Sequence, residues 1–62
     1  SEFYNQLNEI RIVTGASEAE AEKMGAQYRQ MASDMSVSSK EIASAAVEFY
    51  RQGLGDAEVN ER

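Results

Sequence analysis

Residues 13–20 of the chain read VTGASEAE, and this stretch marks the end of one helix and the start of the next. Gly15 readily adopts the left-handed conformation in which helices commonly end. Ser17 and Glu20 have the spacing of a capping box, in which each side chain accepts a hydrogen bond from the other residue's backbone N–H. The pattern predicts a helix that ends at Thr14 and a second helix that begins directly after Ser17.

Helical periodicity continues on both sides of this junction. Apolar residues recur at spacings of three and four, and proline is absent from the chain. We therefore predict a first helix over residues 2–14 and a second helix over residues 18–35. The apolar face of the first helix comprises Phe3, Leu7, Ile10 and Val13. The apolar face of the second comprises Ala21, Met24, Gly25, Tyr28, Met31, Ala32 and Met35.

A second capping box marks the start of a third helix. Ser38 and Glu41 repeat the spacing of the first box. Val37 precedes this cap and Ile42 follows it at the distance of a hydrophobic staple, in which two apolar side chains pack across the first turn. These signals predict that the third helix begins at residue 39.

The third helix is predicted over residues 39–52. Gly53 followed by Leu54 is typical of a Schellman ending, in which the residue after glycine folds back onto the last turn. The main apolar stripe comprises Ile42, Ala45, Ala46, Phe49 and Tyr50, and Ala43 and Val47 widen it, leaving Ser44, Glu48, Arg51 and Gln52 for solvent. Because this arc is broad, we expect the helix to lie between two neighbours, either the first two helices or another molecule. A fourth helix is predicted to start at residue 56.

Composition favours a small all-α fold. The 62-residue chain contains neither cysteine nor histidine, so a disulfide, a thiolate ligand and an imidazole ligand are all unavailable. The core must therefore come from helix packing, and we predict a helical hairpin with a packed third helix. Because both ends interrupt a helical pattern, we interpret the chain as a fragment of a larger protein.

Charge and residue types argue against several classes of function. A net charge of −5 disfavours nucleic acids and anionic membranes, which require a basic face. Glu18, Glu20 and Glu22 lie in the first turns of a predicted helix, where the helix dipole accounts for them. A serine nucleophile requires a base, and histidine is absent. We predict that the chain is not an enzyme and has no catalytic residue, cofactor or metal site.

The methionines at positions 24, 31 and 35 share one face of the second helix. Such a stripe is typical of a helix–helix seam, although methionine-rich surfaces also form adaptable binding grooves. We therefore predict a packing or interaction face rather than a chemical site. Its residues are Leu7, Ile10, Met24, Tyr28, Met31, Met35, Val37, Ile42, Ala46, Phe49 and Tyr50.

Two alternative functions fit parts of the pattern. In a DNA-binding helix-turn-helix, the second and third helices would be the scaffold and recognition helices. The residues at the characteristic positions are Ala32, Ser36, Val37 and Ile42, and the recognition face would be Ser39, Lys40, Ser44 and Glu48. This face has too few basic residues for phosphate binding. The other alternative is a small helical hairpin of a secretion or toxin system, which would pair with a second small helical protein.

From about Leu7 to the end of the chain, the order of these signals resembles that of phage tail tape measure proteins. The residues that carry the resemblance are VTGASE at 13–18, SSKEIA at 38–43 and YRQGL at 50–54. Gly55 departs from the serine that usually follows the Gly-Leu pair in this family.

The resemblance implies a structural role in a virion. Tape measure proteins are long, mostly helical chains in the lumen of a phage tail, and their length sets the length of the tail. It also implies contacts with the tail tube protein and tail assembly chaperones, and a place in the host cytoplasm during assembly. Independently of the resemblance, the broad apolar arc on the third helix predicts self-association into a homo-oligomer. The family offers no catalytic residue in this region.

Overall fold

The computed structural model describes the backbone of residues 1–60 and the side chains of residues 1–53. Its helices are α1 (Glu2–Thr14), α2 (Glu18–Met35) and α3 (Ser39–Asn60). No strand occurs among the described residues, so the predicted all-α class is confirmed. The first two helices have the predicted bounds.

The junction between α1 and α2 is built from the predicted cap residues. Gly15 has a φ of 75°, and its N–H donates to the Arg11 carbonyl at 2.8 Å. The Glu20 N–H donates to Ser17 Oγ at 3.0 Å, and the Ser17 N–H donates to Glu20 Oε1 at 2.8 Å. The hydrogen bond from the Ser17 backbone N–H, with a further contribution from the Ser17 side chain, lowers the pKa of the Glu20 carboxyl. Local hydrogen bonding therefore fixes where the chain turns.

The turn between α2 and α3 combines a Schellman ending with the second capping box. Ser36 adopts the left-handed conformation with φ 59°, and the Val37 N–H donates to the Ala32 carbonyl at 3.0 Å. The Glu41 N–H then donates to Ser38 Oγ at 3.1 Å, and the Ser38 N–H donates to Glu41 Oε2 at 3.2 Å. Sequence analysis missed the Schellman ending because serine rarely takes the position that glycine normally occupies.

The third helix continues past Gly53, where the sequence pattern had predicted its end. Gly53 does not have a positive φ, and the backbone is helical as far as Asn60. The physical reason is that glycine weakens a helix without ending it, and no proline follows. The fourth helix predicted from residue 56 falls where the backbone is continuous with α3, and its cap side chains lie outside the described ones.

Alanine substitutions at two glycines should have opposite effects on stability. Gly15→Ala is expected to destabilise the fold by about 1 kcal/mol, because a β-carbon is unfavourable in the left-handed conformation. Gly53→Ala is expected to stabilise α3 by about 0.5–1 kcal/mol, because it removes a glycine from a helix interior. Urea unfolding followed by circular dichroism measures both changes. A loss of stability in Gly53→Ala would indicate that the helix ends there after all.

The core lies where α1 crosses the other two helices. Phe3, Leu7 and Ile10 of α1 are buried against Ala43 of α3, and both Ile10 and Ala43 are 0% exposed. Half-buried side chains pack around this cluster: Met24, Tyr28, Ala46, Val47 and Tyr50. The third helix contacts both α1 and α2, so the two neighbours expected for its broad apolar arc lie within this chain.

The buried face of α3 is rotated relative to the predicted stripe. Ala43 lies at its centre, whereas Ala45 and Phe49 are exposed. Ser44, which was assigned to solvent, instead accepts a hydrogen bond from the side-chain amide of Gln6 on α1. The small alanine lets α3 approach the large side chains of α1, and this contact sets the rotation.

Candidate functional site

An open apolar groove runs between α2 and α3 on the side of the molecule away from α1. It has a volume of about 430 Å³. Its walls are formed by Tyr28, Met31, Met35, Ile42, Ala45, Ala46, Phe49 and Tyr50. We call this surface the α2–α3 groove.

Three large apolar side chains of the α2–α3 groove face solvent. Phe49 is 67% exposed, Met35 is 60% exposed and Met31 is 46% exposed. The Phe49 ring meets Tyr50 edge to face, with centroids 5.5 Å apart and planes at 75°. Exposed apolar side chains grouped in this way are typical of an interaction site, whereas scattered ones are ordinary on any surface.

The predicted packing face therefore separates into two sets in the folded chain. Leu7 and Ile10 belong to the buried core, and Met24, Tyr28, Ala46 and Tyr50 pack against it half-buried. Ile42 is half-buried in the groove wall. Met31, Met35, Val37 and Phe49 are exposed. The methionine stripe thus begins as a helix seam at Met24 and becomes a groove wall at Met31 and Met35.

Tyr28 connects the core to the α2–α3 groove. Burial of its ring, together with the neighbouring Tyr50, raises the pKa of the Tyr28 hydroxyl to about 12. Burial disfavours the charged phenolate, so the folded state holds this proton more tightly than the unfolded state does. The hydroxyl remains neutral at physiological pH and lies beside the apolar wall.

Stability should fall at alkaline pH through Tyr28. In the unfolded chain this tyrosine titrates near pH 10, whereas in the folded chain its pKa is about 12. Its contribution to stability is therefore fully present below pH 10 and is lost as the pH rises towards 12. Thermal unfolding measured between pH 9 and about 11.5 should show a smaller decrease in Tm for Tyr28→Phe than for the parent. Parallel decreases in the two proteins would contradict this assignment.

Four basic side chains, Arg11, Arg29, Lys40 and Arg51, have partners around α1, whereas Lys23 lies on α2 beside a pocket that Tyr50 also lines. Lys40 Nζ lies 3.2 Å from Glu2 Oε2, and Arg51 Nη2 lies 2.6 Å from Glu9 Oε2. Arg11 Nη1 lies 3.8 Å from a carboxylate oxygen of Glu18. Their positive charges are thus matched by acidic partners near α1.

The guanidinium of Arg29 on α2 also faces α1, where it contacts aromatic rings. Its guanidinium lies 4.7 Å from the centroid of the Phe3 ring, a cation–π contact. Its Nη2 donates a hydrogen bond to the Tyr4 hydroxyl at 2.6 Å. This contact joins α1 and α2 over the core, and sequence reasoning missed it because the partners are 25 residues apart.

Three acidic side chains lie outside the walls of the α2–α3 groove, each three or four positions from a residue that lines it. Asp34 follows Met31 by three positions, and its Oδ1 accepts a hydrogen bond from Gln30 Nε2 at 2.9 Å. On α3, Glu41 lies four positions before Ala45, and Glu48 lies three positions after it. Residues three or four apart are neighbours on a helix surface. We call these three carboxylates the acidic rim; none forms an ion pair within residues 1–53.

A second open groove, of about 550 Å³, lies between α1 and α2. Gly25 forms part of its floor, where a β-carbon would lie 2.9 Å from Leu7 Cδ1. Charged side chains from both helices border it, including Arg11, Glu18 and Arg29. These groups already pair with one another or with α1, and we assign this groove to helix packing.

The Ser17 and Ser38 hydroxyls cap helices. No group of three or more His, Cys, Asp or Glu side chains positioned to hold a metal ion occurs in the part of the chain whose side chains are described. Within the same part, no helix has both the length and the apolar character needed to cross a membrane.

The α2–α3 groove is therefore the surface that stands out as a candidate site, and its properties suit binding by contact rather than chemistry. It joins an exposed aromatic ring and two exposed methionines, and the acidic rim lies beside it. Comparison of the chain with models of protein families, with curated proteins and with solved structures found no match.

Proposed function

We propose that this chain is a structural segment of a phage tail tape measure protein, which acts in tail length determination and tail assembly through helix packing. The observation that carries the proposal is the series of helix ends and starts. Gly15, Ser17 and Ser38 form caps within two of the stretches that resemble this family, whereas α3 continues through Gly53, where the third stretch predicted an end. The α2–α3 groove adds an apolar surface suited to contact with further helices.

The contacts of α1 favour this structural role over DNA binding. A recognition helix must present a free face to the major groove. Lys40 on that face pairs with Glu2, and Ser44 bonds with Gln6. α1 therefore contacts part of this face, and the α2–α3 groove that remains open is flanked by the acidic rim, which repels phosphate. These observations support a protein partner over a nucleic acid.

The proposal can be tested in the virus or prophage that encodes this chain. Mass spectrometry of purified tails should detect peptides from residues 1–62. An in-frame deletion of these residues should give particles with altered tails or no tails in electron micrographs. Tails of normal length and number from the deletion strain, or purified tails without these peptides, would contradict the proposal. A restoring copy supplied from a plasmid is the control for the deletion.

A further inference from the structure

We propose that the α2–α3 groove is the docking site for an amphipathic helix of another protein, with basic residues along both edges of its apolar stripe. This inference goes beyond the structural role above and does not depend on it. It rests on the shape of the groove, on the side chains that face solvent within it, and on the charges along its two banks.

The groove has the form that helix-in-groove recognition uses. Its two banks are helical, and the apolar walls descend to the half-buried Tyr28 and Ala46. An amphipathic helix binds such a groove through apolar residues spaced three, four and seven apart. Phe49 supplies a large rigid side chain of the type that dominates binding energies. Met31 and Met35 can adjust to the shape of the incoming residues, because unbranched thioether side chains are adaptable.

The charges around the groove identify the chemistry of the partner. The acidic rim lies beside both banks, whereas Arg11, Arg29, Lys40 and Arg51 point to partners around α1. Lys23 lies eight positions before Met31, about 12 Å away along α2 at the 1.5 Å rise of a helix. A helix with lysine or arginine at the edges of its stripe would therefore meet carboxylates beside both banks of the groove.

The same rim argues against a second copy as the occupant. Two copies that joined through this groove would bring Asp34, Glu41 and Glu48 towards their counterparts, and like charges placed together oppose association. The chain as a whole carries a net charge of −5, which adds to this repulsion. The complementary occupant is therefore a basic helix from a different protein.

The test uses designed peptides as probes for the purified 62-residue chain. Three peptides of about 18 residues, roughly 27 Å of helix, are compared by isothermal titration calorimetry. The first has a leucine stripe edged by lysine, the second has the same stripe edged by glutamate, and the third has the composition of the first in scrambled order. Only the lysine-edged helix should bind, and its affinity should fall as the salt concentration rises. Equal binding by the first and third peptides would overturn the proposal.

Two pairs of variants locate the contact. Phe49→Ala should weaken binding of the lysine-edged peptide at least tenfold, whereas Ile12→Ala, also at an exposed site but on α1, should leave it unchanged. Glu48→Gln should weaken binding severalfold more than Glu22→Gln, which makes the same charge change on an exposed position beside the other groove. Because Phe49 and Glu48 are exposed, both variants should fold, and circular dichroism verifies this.

Two results would contradict the proposal. Equal effects within both pairs would show that the peptide responds to overall charge rather than to the groove. Sedimentation of the free chain should give a monomer, and a dimer that Phe49→Ala dissociates would show that a second copy occupies the groove. Failure of the tail experiment with a positive peptide result would reject the virion role alone.

Discussion

Replacing Ile10 with alanine is expected to lower the free energy of unfolding by about 2–5 kcal/mol, the range for removing a large aliphatic side chain from a packed core. Ile10 is 0% exposed and lies in the cluster that joins α1 to Ala43 of α3. A single core in a chain of this size rarely supplies more than about 3–5 kcal/mol. Ile10→Ala should therefore be largely unfolded at 25 °C, as measured by circular dichroism with and without urea.

Ile12→Ala is the matched control for this prediction. Ile12 lies on the same helix, two positions further on, and is 71% exposed. Its truncation removes the same atoms without leaving a cavity, so we expect a change within about 0.5 kcal/mol. Equal losses at the two positions would mean that the face of α1 that packs against α3 has been wrongly identified.

Gly25→Leu should also be strongly destabilising, by about 1–3 kcal/mol from overpacking. A β-carbon at Gly25 would lie 2.9 Å from Leu7 Cδ1 and 3.8 Å from Phe3 Cε2. A leucine side chain would therefore force α1 away from α2, and the core residues Leu7 and Phe3 would have to move together. Leucine favours the helical backbone over glycine by about 1 kcal/mol, which offsets only part of this loss.

Ala26→Leu separates steric conflict from helix propensity. Ala26 is the next residue of α2 and is exposed, so leucine there meets solvent instead of Leu7. Chemical denaturation should give a change within about 0.5 kcal/mol for this variant. If Gly25→Leu were as stable as Ala26→Leu, the close approach of α1 and α2 at Gly25 would be refuted.

Local signals were sufficient to predict the bounds of α1 and α2. Gly15, Ser17 and Glu20 act on backbone groups at most four residues away, so their effect can be inferred from spacing alone. The start of α3 at Ser39 follows from Ser38 and Glu41 in the same way. Helix starts and ends of this kind require no knowledge of the rest of the fold.

The rotation of α3 could not be predicted from its own sequence. Its apolar arc is broad enough that Ala43 and Phe49 were both candidates for the buried face. Contacts with α1 decide between them, because Gln6 bonds to Ser44 and Glu9 pairs with Arg51. These partners are 38 and 42 residues apart in sequence, and no pattern within a single helix indicates such pairs.

The shape of the candidate site could not be predicted from the sequence either. The sequence identified the face that contains Met31, Met35 and Phe49, but it left open whether that face is a seam or a groove. The answer depends on how deeply α3 packs between α1 and α2, which is set by Gly25 and Ala43 rather than by the face itself. Only the folded chain separates the covered half of the methionine stripe from the open half.

The position of α3 across both earlier helices has a consequence for synthesis of the protein. The ribosome releases α1 and α2 before α3 is complete. Phe3, Leu7 and Ile10 are therefore exposed to solvent at first, without their packing partners on α3. Transiently exposed apolar side chains favour aggregation. The nascent chain is therefore most vulnerable to aggregation in the interval before α3 emerges, and it gains protection when α3 packs against α1.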